Sequence, residues 1–305
     1  MPSARQGSIH LFRFAGVDLF LHWSWFLVAV FEIQKTGRYS SLTWNILEYL
    51  ALFLIVTLHE FGHALACRRV GGTANQIVLW PLGGVAYVNP PQRPGATLWS
   101  IAAGPLVNVV LLPIFGVAYF LSRSLGWPAS MPDLYTLVRS ILTIDVVLFV
   151  FNMLPIYPLD GGQILRALLW FVMGRARSLL VATIVGLIGI AGFIGLAFWM
   201  HSVWYGAMAA FMLLNCWGGL KHAQALLRFA KLPRREGFAC PSCKTAPPIG
   251  VFWKCGQCGQ AFDTFVTRAV CPRCAAQYPV TRCLDCGEAH PMSEWMAAAL
   301  VTAKG

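Results

Sequence analysis

Apolar runs long enough to cross a bilayer recur along this chain, and no other feature limits its fold so tightly. A hydrocarbon core of about 30 Å, crossed at about 1.5 Å per residue, takes a helix of about 20 residues. Six runs meet or approach that length: 17–33, 44–66, 97–121, 140–158, 178–200 and 203–220. The fourth is broken at its end by Pro155 and Pro158. The first shows no small-residue cleavage site, so it reads as a span and not as a signal peptide. Charge agrees: charged residues are 11 % of the 305, against about 25 % in a soluble domain. A single water-soluble domain and a disordered chain are both excluded. The expectation is an all-α polytopic membrane protein of about six transmembrane helices, without internal repeats.

Basic residues give the orientation. With the N-terminus inside, 13 fall in cytoplasmic segments (Arg5, Arg13, Arg68, Arg69, Arg93, Arg166, Arg175, Arg177, Lys221, Arg228, Lys231, Arg234 and Arg235). Only 4 fall outside: Lys35, Arg38, Arg123 and Arg139. This bias expects both termini in the cytosol, most simply at the plasma membrane. A composition break at 233–236 divides a membrane domain, 1–232, from a Cys-rich domain, 233–305. Residues 237–305 carry 6 basic and 4 acidic side chains, too weak a field to expect nucleic acid.

The decisive run is His59-Glu60-Phe61-Gly62-His63, inside the second span. Residues four apart lie about 40° apart around a helix, so His59 and His63 share a face and can grip one Zn²⁺. Glu60 lies on the adjoining side, within reach of a water's proton. Gly62 keeps the helix slim there. Three ionisable groups within five residues of a span are expensive to bury and mark function more often than packing.

A catalytic zinc takes three protein ligands and leaves one position open. Asp160 is the candidate third ligand, in Asn152-Met153-Leu154-Pro155-Ile156-Tyr157-Pro158-Leu159-Asp160-Gly161-Gly162. Two prolines and two glycines make this a broken helix end, which is tolerated at membrane depth where it lines a protein-enclosed cavity. The other reading of Asp160 is a helix N-cap.

These motifs, with Gly104-Pro105-Leu106-Val107-Asn108 between them, resemble the site-2 protease family of intramembrane zinc metalloproteases, peptidase family M50. Residues 16–26, with His22-Trp23-Ser24, resemble the family's first-span signature, and Leu79-Trp80-Pro81-Leu82-Gly83-Gly84-Val85 its membrane-associated β-hairpin. The resemblance covers about 10–220. It implies His59, His63 and Asp160 as ligands of the catalytic zinc and Glu60 as the catalytic base. It also implies Asn108 near the active site as an oxyanion or substrate contact, and Asn152 as support for the Pro-Leu-Asp-Gly backbone. The hairpin around 76–88 would hold an unwound substrate segment as an added strand.

Other polar residues in the spans read more plainly. Asp145, seven before Asn152, fits a structural hydrogen bond, and His22 a bond across helices. Glu32 and Glu48 fall near span ends and read as solvated. Cys67 and Cys216 read as packing residues.

The remaining eight cysteines form four Cys-x-x-Cys pairs: Cys240/Cys243, Cys255/Cys258, Cys271/Cys274 and Cys283/Cys286. Each pair is a knuckle offering two thiolates, and two knuckles complete a tetrahedral Cys₄ site. Disulfides need an oxidising compartment, and the charge count puts this tail in the cytosol. Structural zinc is expected over disulfides or iron, with two ions in the tail beside the catalytic one. The tail resembles tandem zinc ribbons, small and β-rich. Sequential pairing of knuckles is the simpler topology, and first with third and second with fourth is the alternative. Closed zinc sites suit binding or regulation, so a cytosolic protein partner is expected.

The activity implied is an intramembrane zinc metalloendopeptidase cutting membrane proteins in or near their transmembrane segments. A catalytically silent membrane-tethered zinc-ribbon adaptor is the alternative, and intact Glu60 speaks against it. A metal transporter would need no general base beside two helical ligands.

Overall fold

The structure, a computed structural model, describes residues 7–33, 37–80, 83–201 and 203–296. Arg5, Lys35, Pro81 and Leu82 lie outside these, as does the side chain of Glu32. The chain divides into two compact units: Met1–Pro90 with Pro94–Gln224, and Pro91–Arg93 with Ala225–Gly305. The division falls earlier than the composition break.

The first unit opens with a hairpin, β1 (Ser8–Phe14) and β2 (Val17–His22), followed by α1 (Trp25–Ile33) and α2 (Leu42–Arg69). A second hairpin, β3 (Thr73–Trp80) and β4 (Gly83–Asn89), comes next. The four strands form one sheet in the order β1-β2-β3-β4, with β2 and β3 parallel and the other pairs antiparallel. Helices α3 (Pro94–Ser124), α4 (Trp127–Ser130), α5 (Pro132–Asn152), α6 (Asp160–Trp199) and α7 (Val203–Ala230) complete the order.

Among the described residues four helices, α2, α3, α5 and α6, are long and apolar enough to cross a membrane. The expected first span is not among them. Val17–His22 is a strand whose Val17, Leu19, Phe20 and Leu21 are buried by protein. A strand covered on both faces reads as a continuous apolar run, just as a span does. The nine residues of α1 rise only about 14 Å. The expected sixth span lies in α7, which is not one of the four. Nor is the unit all-α, since the expected hairpin is half of a four-stranded sheet.

Helix α2 is the centre of this unit: 56 % of its most apolar window is buried, against 11 % for α5. Val56, Phe61, Ala64 and Cys67 of α2 pack with Val17, Leu19, Leu21, Trp25, Ala74, Ile77 and Leu79 in one core. The sheet thus covers one face of α2. Near its start, Glu48 is paired with Arg38 at 2.8 Å and accepts a bond from Tyr39 Oη, with 13 % of its side chain exposed. Glu48 is therefore an ion-pair partner, not a solvated end residue. Burial and this carboxylate push the Tyr39 phenol up to about 12.

Helix α5 stops at Asn152, before either proline, and residues 153–159 form the connection to α6, with a cis Tyr157–Pro158 bond. Helix α6 is two limbs broken at Gly174 (φ 78°, ψ 169°). Its first limb occupies what reads in the sequence as a loop.

The second unit carries two-stranded pairs of two residues each, β5 (Trp253–Lys254) with β6 (Ala261–Phe262) and β7 (Thr281–Arg282) with β8 (Ala289–His290). Two small cores hold it. Phe265 and Trp295 pack with Cys240 and Cys283, and Phe262 with Cys255 and Cys271. A bidentate Arg234–Asp285 pair and a single Arg235–Asp263 bond add charge-assisted contacts.

Candidate metal centre

His59 and His63, one turn apart on the buried face of α2, meet Asp160, the first residue of α6. His59 Nε2 lies 3.1 Å from Asp160 Oδ2, His63 Nε2 lies 3.3 Å from the same oxygen, and the two Nε2 atoms are 3.2 Å apart. Bonds of about 2.0–2.1 Å at a tetrahedral centre hold ligand atoms about 3.3 Å apart. The triangle therefore fits one zinc ion. Asp160 is the first residue of α6 and Leu159 occupies the N-cap, so the N-cap reading of Asp160 does not hold. Its carboxylate turns to the two imidazoles.

Helix α3 supplies the surroundings of this triangle. Ser100, Gly104 and Asn108 recur at intervals of four, so they line one face against the metal residues. His63 Nδ1–H donates to the Ser100 carbonyl at 2.9 Å. His59 Nδ1–H donates to Asn108 Oδ1 at 2.6 Å. Both bonds leave Nε2 unprotonated and aimed at the ion position. At Gly104 a Cβ would stand 2.2 Å from His63 Nε2, so only glycine leaves room for that ring. Gly62 similarly faces the Ala103 carbonyl, at 2.7 Å from a built Cβ.

Asn108 is fully buried, and besides accepting from His59 it donates through Nδ2 to Asp145 Oδ1 at 2.6 Å. The amide expected to meet an oxyanion or the substrate thus bonds His59 through its oxygen and Asp145 through its nitrogen. Asp145 makes the hydrogen bond expected of it. Asn152 closes α5, half-buried. Glu60, 6 % exposed, follows His59 directly on α2. The sequence reading quoted Gly104 only as part of a motif and missed Ser100, although their four-residue spacing to Asn108 was a usable signal.

In the second unit the cysteines gather in a nested order. Cys240, Cys243, Cys283 and Cys286 form one cluster, and Cys255, Cys258, Cys271 and Cys274 the other. First pairs with fourth and second with third, which corrects both pairings expected. The two inner knuckles close on each other around Phe262 and Tyr278, while Trp295 and Phe265 bring the outer two together. Across facing knuckles, Sγ atoms stand 3.5 Å apart at Cys255–Cys274 and 3.8 Å apart at Cys243–Cys283. Bonds of about 2.3 Å at a tetrahedral zinc give about 3.8 Å, so both clusters fit.

The four knuckles repeat one backbone pattern that the sequence did not disclose. The first Cys N–H of each donates five residues on, to Thr245, Gln260, Ala276 and Glu288. The residue fourth after that Cys is left-handed each time: Lys244, Gly259, Ala275 and Gly287. Tyr278 Oη donates to Cys255 Sγ at 3.0 Å and pulls that thiol down to about 5, favouring the thiolate that metals bind.

The pattern of peptidase family M50 matches residues 48–126 and 128–196. A zinc metalloprotease of Methanocaldococcus jannaschii is 34 % identical over 180 residues, 59 % of this chain and 50 % of that protein. Rip3 of Mycobacterium tuberculosis is 29 % identical over 210 residues, 62 % of this chain and 53 % of that protein. The chain thus spans about half the length of the curated relatives it matches. Among solved structures, a site-2 protease from Methanocaldococcus jannaschii matches with a TM-score of 0.51 and 25 % identity, over 70 % of this chain and 95 % of that one. The matched segments contain all three residues of the metal triangle, so the likeness to peptidase family M50 falls on the site itself.

Proposed function

We propose that this protein is an intramembrane zinc metalloendopeptidase that hydrolyses peptide bonds in or near the transmembrane segments of membrane proteins. The observation that carries the reading is the His59–His63–Asp160 triangle, buried beside Glu60 in an apolar helix. A zinc ion bound there supplies a Lewis acid that acidifies water and polarises the scissile carbonyl. Glu60 takes the proton of the attacking water as its oxygen bonds to the carbonyl carbon. The C–N bond then breaks, and Glu60 returns the proton to the leaving amine.

A helical substrate hides its carbonyls in its own hydrogen bonds and has to unwind first. Strand β4 ends the sheet order, so its outer edge is the place for an added strand. Val85 pairs inward with Val78. Proline at Val85 or Tyr87 tests this step, and unchanged cleavage counts against it. The reading includes both termini in the cytosol at the plasma membrane and about six crossings. It also includes three zinc ions, one catalytic and two structural, and a membrane domain 1–232 before a cytosolic domain 233–305. The tail would bind a cytosolic protein that gates substrate access.

The test is a proteomic comparison of membranes holding the active protein with membranes holding Glu60→Gln. Fragments that arise only with the active protein identify the substrate. Identical fragment sets would remove the protease reading and leave the silent adaptor.

A further inference from the structure

Asp145 sits in the middle of α5 with no exposed surface, and among the described residues its carboxylate makes one hydrogen bond, the 2.6 Å bond from Asn108 Nδ2. Its second oxygen, Oδ2, is buried without a hydrogen-bond partner among them. A buried carboxyl held so sparingly is costly. An apolar residue or a hydroxyl would serve packing at lower cost, so the chemistry of the one bond is what needs explaining.

That bond lies in a chain of three side chains. His59 Nδ1–H donates to Asn108 Oδ1 at 2.6 Å, and Asn108 Nδ2–H donates to Asp145 Oδ1 at 2.6 Å. An asparagine amide can face either way, with its oxygen or its NH₂ toward a given neighbour. If the NH₂ faced His59, Nδ1 would have to accept, the proton would move to Nε2, and Nε2 could no longer bind a metal. The amide cannot settle this alone, and neither can a neutral imidazole, which donates from one nitrogen and accepts at the other. A carboxylate settles it, because it only accepts.

We propose that Asp145 is a positioning residue whose acceptor-only carboxylate turns the Asn108 amide and thereby fixes His59 in its metal-binding tautomer. It reaches the metal triangle without touching it. The inference rests on the metal reading of His59, and its test is chosen so that the two can fail separately.

The test measures metal affinity in the full-length protein with cobalt as the probe. Cobalt held by nitrogen and oxygen absorbs differently from cobalt held by four thiolates, so the membrane site is read apart from the tail. Asp145→Ala frees the Asn108 amide and should weaken cobalt at the membrane site about 10–100-fold, the usual loss when an outer partner of a ligand is removed. Asn108→Asp alone sets two carboxylates against each other and should lose as much. The swap, Asn108→Asp with Asp145→Asn, restores the polarity. A carboxylate at 108 accepts from His59, and the new amide at 145 donates to it. The swapped protein should bind within about threefold of the wild type, well above Asn108→Asp alone.

Rescue by the swap cannot come from packing, because the two side chains keep their sizes. Wild-type affinity in Asp145→Ala would overturn the proposal, and so would a swap no better than Asn108→Asp. If Asp145→Ala does not fold, the swap against Asn108→Asp decides. A wild-type protein that holds no cobalt at the membrane site would instead overturn the metal reading.

Discussion

His59 and Asp160, 101 residues apart in the chain, bring Nε2 and Oδ2 to 3.1 Å inside the membrane unit. A metal makes that approach favourable for all three ligand atoms at once. Two unprotonated imidazole nitrogens and a carboxylate oxygen have no proton to share between them, and all repel. A cation at the centre of the triangle converts that repulsion into binding.

Exchanging the base and exchanging the third ligand should therefore differ. Glu60→Gln keeps all three ligands, so zinc should stay while cleavage falls by about 10²–10⁴, the contribution of a general base. Asp160→Asn replaces a carboxylate ligand with a poor neutral one and should lose metal and activity together. Zinc analysis beside a cleavage assay separates the two. Residual cleavage near the wild-type rate in Glu60→Gln would take the base role from that residue.

Gly104→Ala tests the slot in α3. A Cβ there meets His63 Nε2 at 2.2 Å, so the ring must leave the triangle or the helices must part. Zinc retention should drop while the protein still inserts in the membrane. A loss confined to activity, with zinc held normally, would contradict the geometry. Gly116, whose Cβ would meet nothing within 4 Å, is the control, and Gly116→Ala should be silent.

The nested cysteine order makes a countable prediction. The full chain should hold about three zinc ions. Cys243→Ser and the double Cys243→Ser/Cys283→Ser should each remove the same ion and leave about two. Cys243→Ser with Cys258→Ser should remove one ion from each cluster and leave about one. Sequential pairing gives the reverse pattern for the two doubles, so elemental analysis distinguishes them.

Ala275 sits at φ 58°, where its counterparts Gly259 and Gly287 are glycines. L-residues are strained there and glycine is not. Relief of the left-handed strain, about 1–2 kcal/mol, exceeds the extra unfolded-state freedom of glycine, about 0.4–1 kcal/mol, so Ala275→Gly should stabilise the second unit, seen as a higher chelator concentration needed to release its thiols. A lower concentration would show that the knuckle does not need the left-handed turn.

Orientation can be tested with a membrane-impermeant maleimide on intact cells. With both termini in the cytosol, the eight tail thiols should label only after lysis and zinc removal. Labelling without lysis would reverse the orientation and reopen the disulfide reading of the tail.

The sequence alone determined the chemistry and its local carriers. His59 and His63 must share a face because the α-helix repeats every 3.6 residues, and each Cys-x-x-Cys must form one knuckle because the turn is local. Long apolar runs located the four described helices that are long and apolar enough to cross a membrane. Tertiary structure decided what depends on partners distant in the chain. It made Val17–His22 a strand, because burial by protein and burial by lipid select the same residue types. It chose the nested pairing of knuckles, because equal Cys-x-x-Cys pairs carry no information about which one lies opposite. It turned Asn108 toward His59 and Asp145, because an amide's role is set by the donors and acceptors that packing brings to it.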